Sequence, residues 1–334
     1  MKKLLFVAIF GLAIALNSAS YAQDIYPEED ILLYTFFINI VPGQFNVPLI
    51  GFVNVGKGDH ASVNIGFVNA NEKNFKGLQS GFVNVAGGSL KGVQSGFVNA
   101  AGNSLKGIQA GFVNAAGGDS KGVQAGFVNV TGKKMKGVQA GFVNNSRGGM
   151  KGPQVGFVNN TDNLKGLQLG FVNVSDSLEN GIPVGFVSVV RKGGYKALEL
   201  YFSEIYPVNL SFKLGIPALY TSFTASLNPN LPENFYFGLG IGSIIPLSYN
   251  LYLNPEILTQ NPFSGSNRQL TSFVANLGIS LSSNFQLTAG PSLIWDHGTL
   301  DADPFKPVFL LYEEILDDNN SLYAGFRVGL RYRL

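Results

Sequence analysis

From Leu322 to Leu334 the chain alternates without a fault. Leu322, Ala324, Phe326, Val328, Leu330, Tyr332 and Leu334 fall on one side, and Tyr323, Gly325, Arg327, Gly329, Arg331 and Arg333 on the other. Successive side chains of a strand point to opposite faces, so this period of two predicts a strand. Its length covers the roughly 9–11 residues a tilted strand needs to cross a membrane. The pattern recurs upstream. Val208, Leu210, Phe212, Leu214 and Ile216 oppose Asn209, Ser211, Lys213 and Gly215; Phe235, Phe237, Leu239 and Ile241 oppose Tyr236 and three glycines; Phe273 to Leu281 opposes Ser272 to Ser280. Leu198 to Phe202, Leu219 to Leu227 and Phe285 to Trp295 behave alike. Long strands with one apolar face and one polar or glycine face predict a transmembrane β-barrel. A soluble antiparallel sandwich is the competing reading, although its strands are ordinarily shorter.

Between Gly51 and Val190 a different order governs. Gly-Phe-Val-Asn, or a near copy, begins at Gly51, Gly66, Gly81, Gly96, Gly111, Gly126, Gly141, Gly156, Gly170 and Gly185, in steps of 15 residues apart from one of 14. A fixed period of this length marks one small structural unit repeated. Taken as one strand, Gly92 to Ala101 places Val93, Ser95, Phe97 and Asn99 on one face, with Gly92, Gln94, Gly96 and Val98 on the other. Connectors such as Ala101-Gly102-Asn103-Ser104 carry turn chemistry.

Two architectures fit these units. In a meander each unit crosses a membrane as one strand; in a solenoid each is one coil and like residues stack. The lysines at 76, 91, 106, 121, 136, 151 and 165 would form one like-charged column in a solenoid, which favours the meander. Spacings of 11 to 16 residues persist past the repeats, at Lys196, Val208, Leu219, Phe235 and Leu251, and favour it again. The sameness of the units favours the solenoid. The expected fold is therefore all-β: an outer-membrane antiparallel barrel of 18–20 strands, with a solenoid fused to a smaller barrel of eight strands as the alternative. In the first case the repeat Phe faces lipid; in the second it is buried inside a coil.

The motif Lys-Gly-Val-Gln-x-Gly-Phe-Val-Asn resembles the surface-repeat family typified by the Leptospira LA_2272 proteins, which is also common in Bacteroidota. The likeness spans Gly51 to Val190, and Gly194-Tyr195-Lys196-Ala197-Leu198-Glu199 resembles the start of the carboxyl-terminal part of Bacteroidota members. It implies a cell-envelope or surface protein and brings no catalytic residues with it.

The amino terminus reads as a secretory signal: Lys2 and Lys3, an apolar run from Leu4 to Leu16, then Ser20-Tyr21-Ala22 as a cleavage pattern. The expected organisation is a signal peptide at 1–22, an amino-terminal segment with the first strands at 23–50, repeats at 51–190 and barrel strands at 191–334. The chain has no Cys, so disulfides, thiol nucleophiles and an acylated-Cys anchor are excluded. A net charge of +2 gives no support to nucleic-acid binding.

Candidate chemistry is sparse. His60 and His297 sit in no nucleophile arrangement and read as solvated loop residues. The acids Asp296, Asp301 and Asp303, and Glu313, Glu314, Asp317 and Asp318, match no calcium-loop spacing. Gly238 to Gly242 reads as strand glycine rather than a phosphate loop. Neither catalytic nor metal residues are expected, and no cofactor. Glu199, Lys213, Arg327, Arg331 and Arg333 fall on polar faces of apolar strands, which predicts an internal ion-pair network or, in a pore, a positive constriction. Gln79, Gln94, Gln109, Gln124, Gln139, Gln154 and Gln168 form a polar ladder that would line a hydrated lumen or grip a plug. The expected role is non-enzymatic: a passive pore or structural envelope component, or else a surface-exposed solenoid for binding or adhesion on a small barrel. Expected partners are outer-membrane lipid and an envelope protein. Short connectors argue against a large ligand-gated transporter.

Overall fold

A computed structural model describes residues 33–42, 46–229, 235–263, 268–298, 308–309, 311–317 and 319–334. The expected signal peptide, the residues just after it, and Asp301, Asp303 and Asp318 lie outside them. Every regular element among the described residues is a strand. The chain forms two compact units, Met1–Gly185 and Phe186–Leu334.

In the first unit the repeats up to Ser146 are each two short strands rather than one, while Val158–Lys165 and Leu167–Leu178 run on unbroken. Leu90–Ser95 and Val98–Ala101 are separated by a bend at Gly96 and Phe97. Each strand pairs in parallel with its copies one repeat away, so Lys91 meets Lys106, Gln94 meets Gln109, and Asn99 meets Asn84 and Asn114. This is a β-solenoid, and the barrel of 18–20 strands does not form. The bend also breaks the single-strand face assignment: Gln94 and Asn99 both turn inward and are buried, while Val93, Ser95 and Phe97 remain on the outside.

Two glycine columns make the stack possible. Gly107 has φ +144°, and an added Cβ there would collide with the carbonyl oxygen of Gly92 in the coil before it. At the bend, a Cβ on Gly111 would collide with the carbonyl oxygen of Gly96. The first coil needs no such glycine. Phe36-Phe37-Ile38-Asn39 is a degenerate copy one period before Gly51, with Phe36 exposed in the glycine position. Phe37 stacks on Phe52, and Asn39 donates to Asn54. Among the described residues no coil precedes this one in the parallel stack, and Leu33–Tyr34 pairs antiparallel with it.

The single 14-residue step falls between Thr161 and Leu164, where other repeats have a connector and this one continues as the strand Val158–Lys165. Leu164 still pairs with Met150, Lys165 with Lys151, and Asn159 with Asn144, so every column stays in register. The lysine column argued against a solenoid, yet it exists: lysines 76, 91, 106, 121, 136 and 151 stand as successive cross-strand partners. Exposed ammonium groups about 4.8 Å apart repel by at most about 1 kcal/mol in water, and long side chains splay to reduce that. A full strand ladder per coil outweighs it.

The second unit closes on itself. Its strands are β1 (Tyr195–Phe202), β2 (Val208–Ile216), β3 (Leu219–Leu227), β4 (Phe235–Gly242), β5 (Leu251–Pro262), β6 (Gln269–Ser280), β7 (Phe285–His297) and β8 (Asn320–Arg333). Each pairs antiparallel with the next, and β1 pairs with β8 to complete an eight-stranded barrel. Two short strands, Ile245–Pro246 and Tyr312–Asp317, lean on β5 and β8. At eight strands a barrel interior is just wide enough to be filled by side chains. The alternation read from the sequence holds here except at the end of β2, where Leu214 and Ile216 are buried with their neighbours. Leu198, Leu210, Phe237, Leu277, Leu293 and Val328 are outside and exposed, while Glu199, Ser211, Asn276 and Arg331 are inside.

Candidate functional site

The barrel interior gathers charge from four strands. Glu199 on β1 receives Lys213 Nζ from β2 at 3.0 Å, Arg327 from β8 at 3.0 Å and Arg331 at 3.0 and 3.1 Å. Thr288 Oγ1 donates to the same carboxylate at 2.7 Å. Glu256 on β5 takes Lys213, Arg327 at 3.2 Å and the Tyr220 hydroxyl at 2.8 Å. The guanidinium of Arg327 lies 3.4 Å from the Tyr201 ring centre, and Arg331 reaches Asn254. Glu199, Lys213 and Arg331 are 0% exposed, so the lumen at their level has no room for water. Desolvating five charges is expensive unless each is paired and hydrogen-bonded, and here each carboxylate bridges at least two cations.

Four of the five charges read from the sequence thus meet in one cluster, and the internal ion-pair network is what they form. Arg333 does not join it: at the end of β8 it is exposed. Sequence reasoning missed Glu256, because Pro255 and Pro262 disguise the strand. The phase was readable nonetheless, since outward Leu253 and Ile257 put Glu256 on the inner face with Tyr252 and Asn254. Nearer one end of the barrel, Arg268 Nε clasps Asp296 at 2.9 and 3.1 Å, which occupies the carboxylate considered for calcium. Asp317 likewise accepts from Asn319 and Asn320.

The Gln ladder lies in the solenoid, not in a hydrated lumen. Every member from Gln79 to Gln168 is buried, and each Nε2 donates to the Oε1 of the preceding one at 2.7–2.8 Å. A second ladder, Asn39 to Asn173, runs beside it with the opposite sense, each Nδ2 donating to the next Oδ1 at 2.7–2.9 Å. The spare amide protons go to main-chain carbonyls, as from Asn99 to Ala110 and Gln94 to Ala100. Beside these ladders run the apolar columns Phe75, Leu90, Leu105 and Ala86, Ala101, Ala116. His60 opens the first of them: it is buried, tilted against the Phe75 ring and bonded to Asn64, not a solvated loop residue. His297 is exposed, 2.9 Å from Asn320.

The repeat phenylalanines are neither lipid-facing barrel residues nor buried in the coil. They stand on the outside of each bend, 43–48% exposed from Phe52 to Phe171. Their rings stack at 4.8–5.0 Å with planes within 6° of parallel. Fold and side chains together define a β-solenoid repeat protein joined to a charge-filled eight-stranded barrel. Compared with known protein families and with curated proteins, the chain matches none.

Proposed function

We propose that this is an exported cell-surface protein of a Gram-negative envelope, in which the barrel anchors the chain in the outer membrane and the solenoid is its binding module. The observation that carries the reading is the inverted barrel. Large apolar side chains on every strand but β3 stand outward and exposed, among them Leu200, Leu210, Phe237, Ile257, Leu277, Leu293, Trp295 and Leu330, each more than two fifths exposed. The charges of Glu199, Lys213, Glu256, Arg327 and Arg331 and the amides of Asn209, Asn254 and Asn276 face inward. Contiguous exposed apolar surface on this scale marks a lipid or protein interface, and a polar interior within an apolar wall is how a strand barrel meets lipid. The secretory pattern at the amino terminus and the likeness to envelope surface repeats support the same location. The role is mechanical and adhesive rather than catalytic.

Single cysteines test this cleanly, since the chain has no Cys of its own. In intact Gram-negative cells, Asn103→Cys in a solenoid connector should label with a membrane-impermeant maleimide. Leu277→Cys on the barrel wall should stay silent until detergent is added. Labelling of Leu277→Cys in intact cells, with the protein in the soluble fraction, would overturn the anchoring role.

A further inference from the structure

We infer that the solenoid carries a lipid-docking face, which lies flat on an anionic membrane surface. The face is the outer side of the first strand of every repeat. In the unit around Phe97, Lys91, Val93 and Ser95 share the outer side of the strand Leu90–Ser95, because alternate residues of a strand share a side, and Phe97 stands outward at the bend that follows. Each position continues as a column: lysines 76 to 165 along one margin, Leu78, Val93, Ile108, Val123 and Val138 along the middle, and phenylalanines along the other margin. The strip is roughly 15–20 Å wide, and from Phe37 to Phe171 it is on the order of 45 Å long at one strand spacing per coil.

Three features select the occupant. The first is charge: residues 51–190 hold 12 Lys and Arg against 6 Asp and Glu, although the whole chain nets only +2. A groove beside the column is lined by Lys106, Lys121, Lys136, Lys151 and Lys134, with Asp119 and Glu179 among them. Cations in a row beside apolar residues are the composition by which interfacial segments hold anionic lipid. The second is ring presentation. Each inner Phe has both faces covered by its neighbours at 4.8–5.0 Å, so only ring edges are offered outward. Sugars and nucleobases bind aromatic faces, which are not available; acyl chains accept edges. The third is the single sign of the lysine margin, which disfavours a second copy of the same face.

The inference deepens the binding-module reading and rests on it, so the experiment reads barrel and solenoid separately. Full-length protein is reconstituted into vesicles of phosphatidylcholine, with or without about a third phosphatidylglycerol, both carrying acyl-brominated lipid. Trp295, the only Trp of the chain and outward on β7, reports barrel insertion by its own quenching. Bimane on Phe112→Cys reports the face, and bimane on Ala115→Cys reports the outer side of the second strand. Expected are Trp295 quenching in both vesicles, and Phe112 quenching several-fold above Ala115 only in anionic vesicles, reversed by 1 M salt. Lys106→Gln with Lys121→Gln and Lys136→Gln should weaken that preference about a hundredfold, at roughly fivefold per lysine. Quenched Trp295 with Phe112 no more quenched than Ala115 overturns the docking face and leaves the anchor standing. Equal Phe112 quenching in both vesicles overturns the role of the lysines. Unquenched Trp295 overturns the anchor instead.

Discussion

The two units bury polar side chains in opposite ways. The solenoid repeats one solution: the amide of Asn99 meets Asn84 and Asn114 as each of those meets its own neighbours, by translation along a stack. The barrel has one solution used once, in which Glu199 and Glu256 bridge Lys213, Arg327 and Arg331 drawn from strands far apart in sequence. A translational ladder makes each residue answerable only to the coils beside it, as in other repeat proteins. A single network makes each residue answerable to the whole enclosure. Damage should therefore stay local in the solenoid and become global in the barrel.

The largest test is Glu199→Ala. It leaves Lys213, Arg327 and Arg331 facing Glu256 alone in a space without water, a loss of about 3–5 kcal/mol. The urea midpoint of the refolded protein in detergent micelles should drop sharply for barrel signals, whereas Arg333→Ala, outside the network, should leave it in place. Equal effects of the two would break the contrast.

Gly107→Ala comes next. Its φ of +144° alone costs about 1–3 kcal/mol for a side chain, and the collision with the Gly92 carbonyl adds to that. Hydrogen exchange should open the coils around residue 107 while the amides of β1 to β8 keep their protection. Asn114→Ala is milder. It removes one rung, leaving the Asn129 oxygen and the Ala125 carbonyl short of a donor, for about 1–2 kcal/mol. Exchange should rise only in the adjoining coils; opening across the entire stack would show that the solenoid is as cooperative as the barrel.

The smallest effect concerns Glu179 and Lys165, an exposed pair at 2.6 Å. The hydrogen bond from Lys165, and then its charge, hold the Glu179 carboxyl below its ordinary value near 4.5. A carboxyl depressed on folding stabilises above its unfolded pKa, and that contribution disappears as pH falls through the folded one. The melting difference between the protein and Glu179→Gln should be slight at pH 7, shrink in salt, and vanish well below pH 4.5.

Much of the barrel was legible. Alternation named the strands around Val208, Leu219, Phe235, Phe273, Phe285 and Leu322, and it named the four charges that meet inside. Glu256 was hidden by prolines, which interrupt the apolar stripe without removing the strand. The solenoid was legible as a period but not as a shape. Gly96 reads as one more strand position until the chain is seen to bend there, and the bend is what turns both Gln94 and Asn99 inward. The lysine column misled because like charges look prohibitive in a line of residues, whereas solvent screens them on a surface.

What the sequence by itself determined is the repeat, its register and the two-faced strands, because those follow from side-chain order and the period-two geometry of a strand. What only the tertiary structure decided is which strands become neighbours. Parallel stacking of coils and antiparallel closure of a barrel satisfy the same kinds of backbone N–H and C=O groups, in different patterns. The choice rests on glycines whose missing Cβ lets one coil approach another, and that requirement exists only once the neighbouring coil is in place.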